Sequence, residues 1–97
     1  MSERTDRIVE RLRAGLDAQR VEIVDDSALH AGHAGARGGG GHYRVVVVSQ
    51  RFAGLDRVAR QRAVHDALGD LFASEIHALS ARAQTPEEAA AESERGG

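Results

Sequence analysis

Three of the five histidines lie in one glycine-rich stretch, between Asp25 and Arg44. They are His30, His33 and His42, and six of the eleven glycines share the stretch with them. Neutral imidazole is the commonest metal-ligand side chain in proteins, and long loops in compact domains are usually functional or disordered. The pattern therefore indicates a metal-binding loop, although a solvated loop with adventitious affinity for zinc or nickel has the same residues.

The absence of cysteine limits the chemistry of any such site. With no Cys in the chain, disulfides, a Cys nucleophile and metal sites built on the chain's own thiolates are excluded. A soft metal centre would take only imidazoles from this chain, and a partner would have to supply the thiolates. All 13 basic residues are Arg, which excludes a Walker-type phosphate loop and Schiff-base chemistry, since both need Lys.

Net charge and hydropathy argue against further classes of protein. The net charge is −2, so no overall positive field attracts the chain to nucleic acid. No apolar run approaches the about 20 residues of a membrane span, and the first ten residues lack the apolar core of a signal peptide. We therefore expect a cytoplasmic protein with no membrane partner. No nucleophile elbow accompanies the serines and histidines, so we predict that the protein is not an enzyme.

Hydrophobic periodicity and capping residues divide the chain into successive elements. In the first helix Ile8, Leu12 and Leu16 recur on one face, and Asp56 caps the second helix. The predicted elements are a helix over 1–18, strands over 21–25 and 42–49, a turn over 50–56 with Phe52 and Leu55 as apolar anchors, a helix over 57–73, a strand over 75–83 and a short helix capped by Thr85.

The valine run over 45–48 predicts a central strand, because it leaves no solvent-facing position. The long loop makes the first two strands a hairpin, which we expect to be antiparallel. The third strand follows a helix, and a right-handed crossover makes it parallel to the second. The sequence thus predicts an α+β domain of α-β-β-α-β order over residues 1–88, a three-stranded mixed sheet with helices packed on one face, and a frayed, disordered tail over 89–97.

Short motifs in five segments resemble those of the BolA family and occur in the family's order along nearly the whole chain. Each motif alone is weak, but five in the right order are specific. Gln61 departs from the pattern, where the family has His, and four glycines at 38–41 lengthen the loop. The motifs are DSALHAGH (26–33), HYRVVVVS (42–49), RFAGL (51–55), RQRAVH (60–65), and IHALS (76–80) followed by TPEE (85–88).

The resemblance implies a type II KH-like fold and a monothiol glutaredoxin as partner. In such heterodimers a 2Fe–2S cluster is held by thiolates from the glutaredoxin and its glutathione, and by histidines of the BolA-like chain. The family's ligands map onto His77 and His30, with His33 as the alternative loop ligand because the loop is longer here. His42 is expected to have a structural role or to support a ligand rather than to bind metal itself, and His65 to be a surface or partly buried helix residue. No cofactor is expected in the isolated chain, which we expect to be a monomer or a weak homodimer.

Four arginines cluster around the start of the second helix: Arg51, Arg57, Arg60 and Arg62. They predict a partner surface, either for a glutaredoxin or for DNA, since some BolA members are described as DNA-binding transcription regulators. A solvated helix face is the third explanation. DNA is the less favoured partner, because no GxxG joins two helices and aromatic stacking surface is scarce. We therefore predict an accessory protein of iron–sulfur cluster trafficking or iron sensing.

Overall fold

The computed structural model describes residues 3–26, 41–74 and 76–96, and only the backbone of His77, Arg95 and Gly96. Within these residues, no helix is both long and apolar enough to cross a membrane. The elements of the described residues are α1 (Glu3–Leu16), β1 (Arg20–Asp25), β2 (Gly41–Val48), a 3-10 turn (Gln50–Phe52), α2 (Arg57–Leu68), α3 (Leu71–Ser74), β3 (Ile76–Gln84) and α4 (Pro86–Gly96).

The three described strands form one mixed sheet in the order β1-β2-β3. β2 pairs antiparallel with β1 and parallel with β3. In the central strand Val45, Val47 and Val48 are buried and Val46 is half-buried. β2 is therefore the middle strand of the sheet, and its valine side chains are largely covered on both faces, as is typical of a central strand. The predicted α+β fold and strand order are confirmed.

The core lies between one face of the sheet and the helices α1 and α2. Tyr43, Val45 and Val47 of β2 belong to one buried cluster with the apolar faces of both helices. Complete burial of one such side chain contributes roughly 1.5–3 kcal/mol. The remaining members of the cluster are Ile8, Leu12 and Leu16 of α1, Phe52 of the turn, Val64 and Leu68 of α2, Leu71 of α3 and Ile76 of β3.

The second predicted helix, over 57–73, is divided in two. Asp56 caps α2 as predicted, since its carboxylate accepts a hydrogen bond from the Ala59 N–H (2.8 Å). α2 ends because Gly69 has a φ of 51°, a region that favours glycine over residues with a Cβ. The prediction of one continuous helix is therefore wrong. Leu55, a predicted apolar anchor, is also misassigned because it is 37% exposed, whereas Phe52 is fully buried.

The last helix continues beyond Glu88, where the sequence predicts a frayed tail. The Thr85 hydroxyl accepts from the Glu88 N–H (3.2 Å), and the Glu88 carboxylate accepts from the Thr85 N–H (2.8 Å). This reciprocal pair is a capping box, and α4 extends from it to Gly96. Glu92 binds Arg82 on β3. Polar contacts to the sheet, rather than buried apolar side chains, therefore hold the longer helix against the domain.

Gly15 allows α1 and α2 to pack closely. A Cβ built on Gly15 would lie 2.9 Å from the Cβ of Ala67 and 3.3 Å from its Cα. Real Cβ atoms do not approach a neighbour that closely, so any side chain here would push the helices apart. Glycine destabilises a helix by about 1 kcal/mol relative to Ala, but here the absence of a side chain permits the close packing.

We predict that Gly15→Ala destabilises the domain by about 1–3 kcal/mol, the usual cost of overpacking. Urea unfolding followed by far-UV circular dichroism measures the change. Adding Ala67→Gly should recover part of the loss, because it removes the opposing methyl group. A Gly15→Ala variant more stable than the wild type, as expected for an open helix position, would contradict the close packing of α1 and α2.

Candidate functional site

One of the three predicted cluster ligands lies within the described residues. His77 is the second residue of β3. His30 and His33 fall in segment 27–40, outside the described residues. The structure gives the position of His77 in the sheet and the two points at which this segment is attached. Segment 27–40 starts after Asp26, which follows β1, and ends at Gly41, the first residue of β2.

The pairing of β2 with β3 shifts by one residue at His77. Gly41 pairs with Ile76, but the next residue, His42, pairs with Ala78. His77 therefore has no partner in the described register, and beyond it the pairing continues without interruption. An extra residue of this kind bends a strand and redirects its side chains, and such bulges are frequent next to active sites. Within the described sheet, this shift in register falls at His77, the predicted ligand.

Both ends of segment 27–40 are fixed next to this bulge. The Asp26 N–H donates to the His42 carbonyl (2.7 Å). The Asp26 carboxylate accepts from Arg44 through Nε (2.6 Å) and Nη2 (3.4 Å). That hydrogen bond, followed by the charge of Asp26, raises the pKa of Arg44 above its usual value. Because Gly41 also lies next to the bulge, the segment begins and ends at the same end of the sheet as His77.

Glycine is required at the start of β2 because the Tyr43 ring covers Gly41. A Cβ on Gly41 would lie well inside van der Waals contact of the ring carbons and hydroxyl of Tyr43. Tyr43 is only 3% exposed and belongs to the core cluster, so its ring cannot move away without losing buried contacts. The last of the four consecutive glycines therefore has a packing role at the end of the segment.

His42 lies beside the bulge, in a shallow pocket of about 230 Å³. The imidazole is half-buried, and Asp26, Arg44 and Ser80 also line the pocket. Among the described residues, no group of three or more His, Asp or Glu side chains is arranged to hold a metal ion. The pocket places one imidazole and one guanidinium next to the attachment points of segment 27–40.

Three of the four predicted contact arginines are open to a partner. Arg51, Arg57 and Arg62 are exposed. Within the described part of the chain, their guanidinium groups make no hydrogen bond or ion pair. Arg57 and Arg62 belong to α2, and Arg51 belongs to the turn before it. These three side chains can therefore contact another molecule without breaking a hydrogen bond or ion pair among the described residues.

Arg60, by contrast, is bound within the chain, and its side chain is only 17% exposed. It donates to both carboxylate oxygens of Glu88 (2.6 and 3.2 Å) and to the carbonyls of Leu55 (3.0 Å) and Ala83 (3.2 Å). The Arg60 hydrogen bond, with the Thr85 N–H second, lowers the pKa of Glu88 to about 2. Arg60 thus connects α2 with β3 and α4, a role that its position in an arginine cluster did not reveal.

Gln61 covers the outer edge of β3 beside Arg60. Its side-chain amide donates to the Ala81 carbonyl (2.9 Å), and Arg60 donates to the Ala83 carbonyl. Both contacts satisfy backbone acceptors on an edge strand, which would otherwise be open to pairing with another chain. In the sequence, Gln61 is noticeable only as a departure from the family pattern. Its hydrogen bond to β3 could not be predicted, because the donor and the acceptor are distant in the sequence.

The chain is similar in sequence to proteins of one family. The family model for BolA-like proteins matches residues 12–88. SufE-like protein 1 of Arabidopsis thaliana is 42% identical over 87 residues, which cover 84% of this chain and 24% of that protein. BolA-like protein 1 of Mus musculus is 40% identical over 76 residues, which cover 78% of this chain and 53% of that protein. The DNA-binding transcriptional regulator BolA of Vibrio cholerae is 37% identical over 83 residues, which cover 86% of this chain and 76% of that protein.

Solved structures have the same fold. The BolA domain of SufE1 from Arabidopsis thaliana superimposes with a TM-score of 0.78 at 40% identity, over 91% of this chain and 98% of that one. BolA1 from Mus musculus superimposes with a TM-score of 0.78 at 33% identity, over 96% of this chain and 73% of that one. These comparisons confirm the fold and the family resemblance that the five motifs indicate.

We predict that Gly41→Ala displaces Tyr43 and destabilises the domain by about 1–3 kcal/mol, as overpacking does. Tyr43 is the only tyrosine and there is no tryptophan, so tyrosine fluorescence reports on this ring alone. The control is Gly54→Ala, since Gly54 has a positive φ of 80° but no atom within 4 Å of an added Cβ. It should lower stability without changing the fluorescence. Unchanged fluorescence in Gly41→Ala would contradict the contact.

We predict that the folded domain loses one stabilising contribution below pH 4.5. The pKa of Glu88 is lowered from 4.5 to about 2, so its ionised form favours the folded state. That contribution is complete above 4.5 and disappears as the pH falls toward 2. The Glu88 carboxyl ¹³C shift, followed by NMR, should titrate near the lower value. Arg60→Gln should raise its midpoint, and equal midpoints in the two proteins would contradict the role of Arg60.

Proposed function

The chain belongs to the BolA-like protein family, and from this membership we propose that it is an accessory protein of iron–sulfur cluster trafficking or iron sensing. We infer that it forms a heterodimer with a monothiol glutaredoxin and that both chains ligate one 2Fe–2S cluster. This role is one of binding, with no catalytic step. The proposal concerns only the function of a BolA-like domain, because the chain spans about a quarter of the length of SufE-like protein 1 and about half that of BolA-like protein 1. A cytoplasmic location belongs to the same proposal.

The observation that carries the proposal is the bulge at His77 next to both ends of segment 27–40. His30 follows Asp26 by four residues, so their Cα atoms are at most about 14 Å apart at roughly 3.3–3.6 Å per residue. The same limit for His33 is about 25 Å. Either loop histidine is therefore tethered to the end of the sheet where His77 lies, which supports a pair of ligands composed of His77 and one loop histidine.

The donor set of the chain suits a shared cluster. The chain has five His and no Cys, so it can offer imidazoles and must receive thiolates from its partner. When bound, a 2Fe–2S cluster supplies one-electron redox chemistry and a transferable iron–sulfur unit. Imidazole ligands raise its potential relative to thiolates. An imidazole must be unprotonated to bind a metal, so acid should weaken binding by this chain.

The exposed arginines support a docking role near α2. The guanidinium groups of Arg51, Arg57 and Arg62 make no hydrogen bond or ion pair within the described residues. Guanidinium groups bind carboxylates in paired hydrogen bonds, and glutathione carries two carboxylates. These side chains are therefore suited to a glutaredoxin with bound glutathione. Arg60 contributes indirectly, because it holds α2 against β3 and α4.

A DNA-binding regulator is the second candidate function. The name of the Vibrio cholerae relative favours it, and so do Arg57 and Arg62 on α2, whose guanidinium groups have no partner among the residues that the structure describes. The net charge of −2 opposes it, because binding to DNA phosphates depends on positive charge. For this function, DNA affinity should fall steeply with salt and on Arg62→Gln.

We predict that His77→Ala abolishes the spectral change that the wild-type chain causes in a cluster-loaded monothiol glutaredoxin. Visible absorbance and circular dichroism would follow the titration, which should saturate near an equimolar ratio. His65→Ala is the matched control, since His65 lies on α2 and stacks on Phe72, with ring centroids 4.2 Å apart. Its titration should resemble that of the wild type.

The same titration with His30→Ala and His33→Ala identifies the ligand from segment 27–40. The variant that lacks the ligand should lose the spectral change, and the other should retain it. A wild-type chain that leaves the cluster spectrum unchanged would contradict the proposed heterodimer, and binding to DNA would then become the function to measure.

A further inference from the structure

A groove of about 560 Å³ runs between the start of α2 and the outer edge of β3. Three arginines line it, Arg57 and Arg60 from α2 and Arg82 from β3. Leu55, which is 37% exposed, adds an apolar surface. The groove therefore combines concentrated positive charge with an apolar wall, although the whole chain carries a net negative charge.

Carboxylates from α4 occupy two of these three arginines. Glu88 binds Arg60 through both oxygens (2.6 and 3.2 Å). Glu92, one helical turn further along, binds Arg82. Residues four apart lie on the same face of a helix, so α4 presents two carboxylates together to the arginines of the groove.

Polar contacts attach α4 to the rest of the domain, and no side chain is buried over residues 86–94. The Arg82–Glu92 pair is exposed, with Arg82 61% and Glu92 41% accessible, and pairs of this kind contribute little and are screened by salt. The Arg60–Glu88 pair is more shielded, since the Arg60 side chain is only 17% exposed, although Glu88 is 48% exposed. A ligand with its own carboxylates can therefore replace Glu88 and Glu92 at these arginines without opening the core.

Arg57 is the arginine of the groove that remains available. It is exposed and, among the described residues, its guanidinium has no partner. A ligand with several carboxylates can contact Arg57 first and then exchange with α4 at Arg60 and Arg82. Arg62 lies on the same helix but does not line the groove, which makes it a matched control.

We propose that this groove binds a carboxylate-bearing segment of a partner protein, and that α4 is its internal competitor. The two carboxylates of α4 show which chemistry the groove accepts, since Arg60 is oriented for a bidentate carboxylate. The apolar surface of Leu55 suits a peptide better than a phosphate backbone. The inference does not depend on the histidines or on a cluster, so it can fail or hold independently of the function proposed above.

The test measures binding of a fluorescein-labelled synthetic peptide, with glutamates spaced four residues apart, to the metal-free full chain by fluorescence anisotropy. A double variant, Glu88→Gln with Glu92→Gln, removes both competing carboxylates, and Gln at position 88 can still complete the capping box. The control, Glu87→Gln with Glu94→Gln, makes the same change in net charge at exposed positions of α4. Arg57→Gln and Arg62→Gln form the second matched pair.

We expect the first double variant to bind the peptide about three- to tenfold more tightly than the wild type, as the loss of two partly exposed ion pairs allows. The control double variant should bind less tightly than the first. Arg57→Gln should weaken binding severalfold relative to Arg62→Gln. Equal affinities within either matched pair would overturn the proposal. Tighter binding of a single-stranded oligonucleotide of equal charge, with the same response to the variants, would overturn the assignment of a carboxylate ligand.

Discussion

The domain depends on the burial of β2 on both faces and its pairing along both edges. Val45, Val47 and Val48 are buried, and β2 pairs with β1 along one edge and with β3 along the other. The start of β2 then sets the geometry of the candidate site. Gly41 packs under Tyr43 and pairs with the residue before His77, so the centre of the core and the candidate ligand are connected by the first residues of one strand.

Features with a local signal in the sequence could be predicted, and features that depend on a distant partner could not. The valine run, the Asp56 cap and the Thr85 cap are each encoded within a few neighbouring residues, and the structure contains all three. The bulge at His77 depends on how two strands align, and the need for glycine at Gly15 depends on Ala67 of another helix. In the sequence, the segment around His77 reads as an ordinary strand, and Gly15 reads only as an unfavourable residue in a helix.

Charge clustering in the sequence indicated a partner surface but could not distinguish available arginines from those bound within the chain. The structure separates Arg57, which is free among the described residues, from Arg60 and Arg82, which bind carboxylates of α4. The groove and the bulge lie at different points along β3. His77 and Arg82 are five residues apart, or about 16 Å at the rise of a strand. A partner that spans this distance would contact both the proposed cluster ligand and the proposed docking groove.

The central claim is that the imidazoles of this chain ligate a cluster shared with a glutaredoxin. Pulsed EPR of the reduced heterodimer, prepared with ¹⁵N-histidine only in this chain, tests it most directly. The account predicts strong ¹⁵N hyperfine couplings from two imidazoles in the wild type, and the loss of both in His77→Ala, which does not form the shared cluster. A reduced cluster with no strongly coupled ¹⁵N from this chain would contradict the claim, whatever the affinity between the two proteins.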